Sequence, residues 1–286
     1  MKNLLTFIFV IALLSAHAQK INKKLQLQLE TITANFKGEI GIYVKDLNAG
    51  KIATINADSI FPTASMVKVP ILIGIMDKIN KGELMYHQEL TYKDSLFYAG
   101  SDLLSSLKNN EKVELSKVIM LMLTTSDNTA SLWLQSLAGT GTRINKILDS
   151  IGYTATRVNS RTPGREANRE QFGWGQTSPK EMVAFFEQLA NRNLLDTNSS
   201  EKMLRLLGRN YWDEEAISQI PPDVFIASKN GAVNASRSEA MYVSGKNAKY
   251  VFCICTKNNK DVSWESQNEA WSLTRKISKL LWETYK

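Results

Sequence analysis

The chain has little histidine, and this scarcity excludes several kinds of site. Of its two histidines, His17 lies just after the apolar N-terminal stretch, so His87 is the one histidine in residues 19–286. One histidine cannot form a multi-histidine zinc site. A Ser-His-Asp triad would depend on His87, and no serine lies in a G-x-S-x-G nucleophile elbow. If the protein is a hydrolase, we therefore expect a base other than imidazole.

Cysteine is equally scarce. Cys253 and Cys255 are the two cysteines, and they lie two residues apart in the strand-like run YVFCICTK. Their side chains would share one face of a strand, and they are too close in sequence for an easy disulfide. We interpret them as small core residues, with a redox pair as the alternative. The sequence implies no metal or organic cofactor.

The chain also lacks a long basic tract. Its formal net charge is +7, but the lysines and arginines are scattered. Scattered basic residues favour anionic ligands or a polyanionic envelope, and they argue against a nucleic-acid partner.

Long apolar runs are missing after the first residues of the chain. Lys2 precedes an apolar stretch over 4–14, and Ala-His-Ala follows at 16–18. This pattern is typical of a secretory signal peptide over 1–18 that is cleaved after Ala18. A membrane anchor is the alternative, but the stretch is short for a span, which needs about 20 residues. We therefore expect a periplasmic or secreted protein that starts near Gln19 and has no stable membrane insertion.

Hydrophobic periodicity predicts the order of the elements. An amphipathic helix is predicted within 19–36, and two strands joined by a turn at residues 48–50 follow it. The signals over 63–210 are mostly helical. Ser178 followed by Pro179, with Glu181 three residues after the serine, is typical of a helix start with a capping box. Three strands and an amphipathic helix end the chain.

This order predicts an α/β (α+β) fold in which an antiparallel sheet is flanked by the N- and C-terminal helices. We expect a single catalytic domain over 19–286. Its α/β lobe would include about 19–62 and 215–286, and an all-helical lobe would include about 63–214. A site between the lobes is the default expectation.

A lysine stands in the apolar run FPTASMVKVPIL, three residues after a serine. At this spacing Ser65 and Lys68 would lie on one helix face, with about 5 to 6 Å between their Cβ atoms. Burial and a neighbouring cation would lower the pKa of the lysine, and a neutral amine can activate a serine hydroxyl. The alternative is a lysine that extends into solvent from an exposed helix start.

Two further motifs fall at element boundaries. Ser126-Asp127-Asn128 lies at the break between two apolar helices, and Lys229-Asn230-Gly231 lies at the end of a predicted strand. Each motif alone is compatible with an ordinary turn. A glycine in a strand also lets a ligand approach the backbone closely.

Together and in this order, the three motifs resemble those of the class A β-lactamases and penicillin-binding proteins, a family of serine hydrolases. The resemblance covers nearly the whole chain after residue 18, including the strand order and the terminal helices. It implies a β-lactamase/transpeptidase-like fold. It also implies a small-molecule β-lactam or D-alanyl peptide as substrate, and a part in antibiotic resistance if β-lactams are hydrolysed.

The resemblance implies a role for each matching residue. Ser65 would be the acylated nucleophile, Lys68 its activating base, and Ser126 the donor of a proton to the departing nitrogen. The backbone N–H groups of Ser65 and Ala232 would form the oxyanion hole, and Asp127 would brace its turn. The residues that would bind substrate are Asn128, Lys229, Asn230, Gly231, Ala232 and, as a carboxylate-binding arginine, Arg237.

Two departures from the family pattern bear on substrate and turnover. Asn230 replaces a threonine or serine, and its amide can still donate a hydrogen bond to a carboxylate with a different reach. The family's water-activating glutamate, in a Glu-x-x-x-Asn pattern, would fall at Thr162 by a gapless count, and the asparagine would fall at Glu166. We hypothesise that Glu166 replaces the missing base. A solvated surface charge is the alternative.

Three functions therefore stand open. The first is a β-lactamase that works through a Ser65 acyl-enzyme. The second is a penicillin-binding-type D-alanyl peptidase or esterase that reacts with β-lactams but releases them slowly. The third is a non-catalytic module that binds the cell envelope. The intact motif residues argue against the third.

Overall fold

The structure is a computed structural model that describes residues 20–286. The expected signal peptide and its cleavage site lie outside the described residues. Between residues 20 and 286, none of the helices combines the length and the apolar character needed to cross a bilayer.

The helices and strands of this part of the chain have the following bounds. The helices are α1 (Lys23–Thr33), α2 (Lys68–Asn80), α3 (Leu115–Thr124), α4 (Asn128–Leu137), α5 (Thr140–Ser150), α6 (Glu166–Phe172), α7 (Pro179–Ala190), α8 (Thr197–Leu207) and α9 (Glu269–Tyr285). The strands are β1 (Glu39–Asp46), β2 (Ile52–Ile55), β3 (Phe61–Pro62), β4 (Glu89–Thr91), β5 (Lys112–Glu114), β6 (Arg157–Val158), β7 (Gly175–Thr177), β8 (Phe225–Val233), β9 (Ser236–Ser244) and β10 (Lys249–Lys257).

The main sheet is five-stranded, in the order β2-β1-β10-β9-β8. Every neighbouring pair in it is antiparallel. The predicted antiparallel sheet with terminal helices is therefore confirmed. The helix-rich segment between β2 and β8 also contains short strands that the sequence did not predict, paired as β3-β7-β6 and β4-β5.

Alternation along the strands divides the core between the two faces of the sheet. On one face, Phe252 and Ile254 pack with Leu25 and Leu29 of α1 and with the buried residues of α9. On the other face, β10 packs against α7 and the helix-rich part of the chain. Cys253 and Cys255 lie on this second face as free, buried thiols, in agreement with their interpretation as core residues.

The start of α7 helps to position the loop that precedes it. The Ser178 hydroxyl accepts a hydrogen bond from the Glu181 N–H at 3.2 Å, as the capping pattern predicts. The Glu181 carboxylate does not complete the box, because it accepts hydrogen bonds from the N–H groups of residues 154–156. The chain leading into the loop 159–177 is thereby fixed to α7. Pairing of β7 with β3 holds the end of this loop beside the residues that precede Ser65.

Candidate active site

Ser65 lies in a tight turn at the entrance to the central helix. It belongs to a 3₁₀ helix, Ala64–Val67, which runs directly into α2 at Lys68. Residues 68–77 of α2 are all buried. A helix buried on every side belongs to the core rather than to the surface. The turn that carries Ser65 is therefore held in place by the rigid helix that follows it.

The Lys68 amine is the centre of the polar cluster. Its Nζ atom lies 2.8 Å from Ser65 Oγ and 3.0 Å from Ser126 Oγ. The same atom lies 2.7 Å from the Ser126 carbonyl oxygen and 3.0 Å from Asn128 Oδ1. The structure thus joins the S-x-x-K and S-D-N motifs through one nitrogen atom.

Burial decides the protonation of this lysine. Lys68 has no exposed surface. Burial lowers its pKa well below the ordinary value, the Lys229 charge lowers it further, and the Asp127 charge opposes the shift. A neutral Lys68 has a lone pair that can accept a proton from a hydroxyl, which a protonated lysine cannot do.

Asp127 supports the S-D-N turn. Its Oδ1 atom accepts the Ala130 N–H at 2.7 Å and so caps the start of α4. Its Oδ2 atom accepts the N–H groups of Leu103 and Leu104 at 2.6 and 2.9 Å. The fully buried carboxylate therefore joins the turn to the segment around residue 103. Ser126 itself has a left-handed φ of 61°.

The close approach of β8 to the Ser65 turn requires a glycine at position 231. A Cβ atom there would lie 2.5 Å from the Thr63 carbonyl oxygen and 2.7 Å from the Ser65 nitrogen. No side chain fits at such distances. This contact places the backbone on either side of Gly231, including Ala232, next to Ser65.

Lys229 and Asn230 form the edge of the site on β8. Lys229 is fully buried, and burial lowers its pKa to about 7 against the opposing charge of Glu239. Its Nζ atom donates to Asn230 O at 2.9 Å and to Asn230 Oδ1 at 3.2 Å. The Asn230 Nδ2 group has no hydrogen-bond partner within residues 20–286, so it remains available as a donor.

Arg237 lies in the same region but is occupied by other contacts. It is 1% exposed, and its guanidinium lies between the Trp264 and Trp271 rings, 4.5 and 4.6 Å from their centroids. Its Nη1 atom donates to the carbonyls of residues 233, 234 and 236, and Nη2 donates to that of Ser263. The arginine therefore holds the β8–β9 turn in place and does not offer a free guanidinium fork to a substrate carboxylate.

Glu166 lies away from the polar cluster. It is the first residue of α6, its side chain is exposed, and Oε1 accepts the Gly164 N–H at 3.1 Å. Thr162 is buried, and its hydroxyl donates to the Ser160 carbonyl at 2.8 Å. Neither residue lines the cleft that contains Ser65. This placement does not support Glu166 as the base for a hydrolytic water.

The cleft has a volume of about 910 Å³ and includes Ser65, Ser126, Asn128 and the β8 edge. Sequence reasoning missed several of its other residues. They include Glu215 and Glu239 and the three tryptophans Trp212, Trp264 and Trp271. A signal existed for Glu239, because a two-residue turn at 234–235 pairs it with Asn230 across the β8–β9 hairpin.

Comparison with known proteins identifies the family. The model of the β-lactamase enzyme family matches residues 24–285. The chain therefore belongs to this family. The β-lactamase VEB-1 of Pseudomonas aeruginosa is 20% identical and aligns over 99% of this chain and 96% of its own length. A β-lactamase of Streptomyces fradiae is 25% identical over 71% of this chain and 68% of its own length.

Solved structures agree on the fold. The penicillin-binding protein PBP-A superposes with a TM-score of 0.82 at 22% identity, covering 93% of this chain and 97% of that one. A class A β-lactamase from Bacteroides cellulosilyticus superposes with a TM-score of 0.79 at 18% identity, covering 92% and 97%. The protein has the β-lactamase/transpeptidase fold.

Replacement of Asp127 by asparagine should destabilise the protein. The two oxygen atoms of the Asp127 carboxylate accept three backbone N–H groups. An asparagine amide has one oxygen and one NH₂ group in their place, so at least one buried N–H donor loses its acceptor. We expect the free energy of unfolding in urea to fall by about 1–3 kcal/mol. Asp58→Asn is the matched control, because Asp58 forms an ion pair with Lys180 while remaining 78% exposed, and we expect a change below about 1 kcal/mol. Equal effects of the two variants would contradict the bracing role.

Proposed function

We propose that the protein is a serine hydrolase that opens β-lactam amides by forming an acyl-enzyme at Ser65. The observation that carries this proposal is the buried Lys68 amine, 2.8 Å from Ser65 Oγ and 3.0 Å from Ser126 Oγ. Membership of the β-lactamase family supports the same reaction class.

The contacts of Lys68 suggest the following sequence of proton transfers. Neutral Lys68 takes the proton of the Ser65 hydroxyl as Oγ attacks the carbonyl carbon of the amide. When the tetrahedral intermediate collapses, the carbon–nitrogen bond breaks and the nitrogen takes a proton from the Ser126 hydroxyl. Lys68 returns its proton to Ser126, so the amine is neutral again in the acyl-enzyme. The backbone N–H groups of Ser65 and Ala232 would stabilise the oxyanion.

The remaining polar groups of the cleft orient the substrate in this proposal. The Asn128 side-chain amide contacts Lys68 through Oδ1 and would hold the substrate's amide side chain. The unpartnered Asn230 Nδ2 donor and the Lys229 charge would face the substrate carboxylate. Arg237 takes no direct part, because its Nη1 and Nη2 atoms are bound to backbone carbonyls.

Acylation should follow the protonation of Lys68. The rate constant should rise with pH through the lowered pKa of Lys68 and level off well below the usual 10.5 of a lysine, because only the neutral amine accepts the serine proton. The measurement is intact-mass spectrometry of residues 19–286 mixed with a chromogenic cephalosporin. Lys68→Arg should slow acylation by about 10²- to 10⁴-fold, since its guanidinium stays protonated.

Ser65→Ala is the control for this experiment, and it should prevent both the mass increase and any turnover. If the unaltered protein shows neither label nor turnover, the acyl-enzyme proposal is wrong and the envelope-binding module is favoured.

A specific observation favours slow release, which is the penicillin-binding type of behaviour. Both carboxylates of the loop 159–177, Glu166 and Glu170, are exposed, and neither lines the cleft that holds Ser65. The end of the loop nearest the nucleophile turn instead carries amides and a guanidinium. Arg165 donates to Asn159 Oδ1 at 2.9 Å and to Gln176 Oε1 at 2.7 Å, and Gln176 pairs with Pro62 in the β3–β7 ladder.

These side chains are poor bases for the activation of water. Amides do not accept protons near neutral pH, and a guanidinium has no free lone pair for a proton. The known structures include a PBP-A variant as its acyl-enzyme complex with penicillin G, at a TM-score of 0.81 and 22% identity. We propose that the Ser65 acyl-enzyme formed with β-lactams is long-lived, and that D-alanyl peptides or small esters are the substrates turned over.

Glu166→Gln distinguishes fast from slow hydrolysis of the Ser65 acyl-enzyme. The exposed Glu166 side chain contacts Gly164 and not the cleft, so we expect its replacement to leave the lifetime of the labelled protein unchanged within about twofold. The measurement is the loss of label over time after removal of free cephalosporin. Rapid release by the unaltered protein, slowed by about 10²-fold or more in Glu166→Gln, would instead establish Glu166 as the general base.

We also propose that the protein acts outside the cytoplasm. The apolar stretch over 4–14 followed by Ala-His-Ala supports export and cleavage after Ala18. The mass of the N-terminal peptide from secreted or periplasmic material tests this directly. Material that still begins at Met1 would contradict it.

A further inference from the structure

Besides the residues around Ser65 and Asn230, the cleft is lined by a second group of residues. Glu239 stands opposite Asn230 on the neighbouring strand, so the two side chains share one face of the hairpin. We call this part of the cleft the annex and define it by six lining residues. They are Trp212, Glu214, Glu215, Glu239, Trp264 and Arg275.

The two arginines that line the cleft have their Nη atoms occupied by other groups of the protein. Arg237 is bound by backbone carbonyls and lies between two tryptophan rings. Arg275 donates from Nη1 to Glu215 Oε2 at 2.5 Å and from Nη2 to the Ser266 carbonyl at 2.5 Å. Neither arginine offers a free pair of Nη atoms to a carboxylate, but Arg237, which forms no ion pair within residues 20–286, adds a positive charge at the border of the annex.

The acidic residues of the annex differ in their partners. Glu239 is 3% exposed and accepts hydrogen bonds from Ser228 Oγ at 2.8 Å and from the Ala216 N–H at 3.2 Å. Glu215 is paired with Arg275. Glu214 is exposed and has no hydrogen bond or ion pair with any residue from 20 to 286. Among the six residues of the annex, the exposed charge left without a partner is therefore the negative charge of Glu214.

The apolar surface of the annex is aromatic. Trp264 is 62% exposed and Trp212 is 39% exposed, although both line a cleft. Tryptophan is the side chain whose ring face attracts cations best. The cleft is also lined by Ser238, which is 6% exposed and whose buried hydroxyl lacks a hydrogen-bond partner within the described residues.

We propose that the annex binds a positively charged group, such as an ammonium or a pyridinium, on the leaving-group side of the scissile amide. The inference rests on the proposed function, in which Ser126 protonates the departing nitrogen and Lys229 and Asn230 face the departing half of the substrate. A group attached beyond that half enters the annex, where Glu214 supplies the counter-charge and Trp212, together with the part of Trp264 that Arg237 does not cover, supplies aromatic surface.

The test uses two cephalosporins that share one acyl side chain and differ at C3. One carries a pyridiniummethyl group, and the other a neutral acetoxymethyl group. The second-order rate constant of acylation is measured for each as the loss of unmodified protein mass. For each protein, the rate constant with the cationic probe is divided by that with the neutral probe, which cancels general effects on Ser65. This ratio is then divided by the ratio for the unaltered protein, which cancels the difference in intrinsic reactivity between the two probes.

In Glu214→Gln the ratio should fall about fivefold, the size of one partly exposed ion pair. In Glu214→Lys it should fall further, because an attraction becomes a repulsion. Asp223→Asn, which makes the same change of charge at an exposed residue outside the cleft, should leave the ratio unaltered. Added salt should weaken the preference of the unaltered protein, since part of the attraction is screened.

Two outcomes separate the inference from the function on which it rests. Labelling of Ser65 by both probes, with a ratio that is the same in all four proteins, overturns the annex and leaves the proposed function standing. Absence of label with both probes overturns the proposed function and the annex with it.

Discussion

The removal of the Lys68 amine from water is the constraint on which the rest of the site depends. Four oxygen atoms lie within 3.0 Å of its nitrogen, and they come from Ser65, Ser126 and Asn128. An ammonium donates three hydrogen bonds, and a neutral amine donates two and accepts one, so either form makes three with these four oxygen atoms. Burial, which disfavours the charged form, therefore selects the neutral amine that can accept the Ser65 hydroxyl proton. The burial of α2, the bracing by Asp127 and the chemistry of Ser65 are therefore parts of one arrangement.

A second pair of buried ionisable groups, Lys229 and Glu239, limits the positive electrostatic potential at the β8 edge of the cleft. Lys229 and Glu239 lie on neighbouring strands with side chains on opposite faces, because Glu239 pairs with Asn230. Burial lowers the pKa of Lys229 to about 7 and raises that of Glu239 to about 7, and in each case their mutual attraction is the smaller effect. At neutral pH each group is therefore only partly ionised. Groups at the rim of the cleft, which keep their full charge in solvent, then have a larger share in the selection of substrates.

Local patterns in the sequence predicted the features that depend on local interactions. The period of the strands, the Ser178 cap and the spacing of Ser65 and Lys68 are each set within a few residues. The β3–β7 pair was not predictable in this way, because Phe61 pairs with Thr177 across more than a hundred residues of chain. To predict where Arg237 points, one must know the register of the β8–β9 hairpin. To predict where Glu166 lies, one must know the path of a loop that has left-handed glycines at 164 and 173. Counting back from the next helix cannot supply either.

The packing of Arg237 between two indole rings has a further consequence for the study of this protein. Three of its six tryptophans line the cleft, and Trp264, which stacks on the guanidinium, is also 62% exposed. Indole emission responds to a nearby charge and to contact with water. Half of the protein's tryptophans therefore report on its candidate active site, where occupancy by a ligand can be followed without a chromophore, a label or turnover.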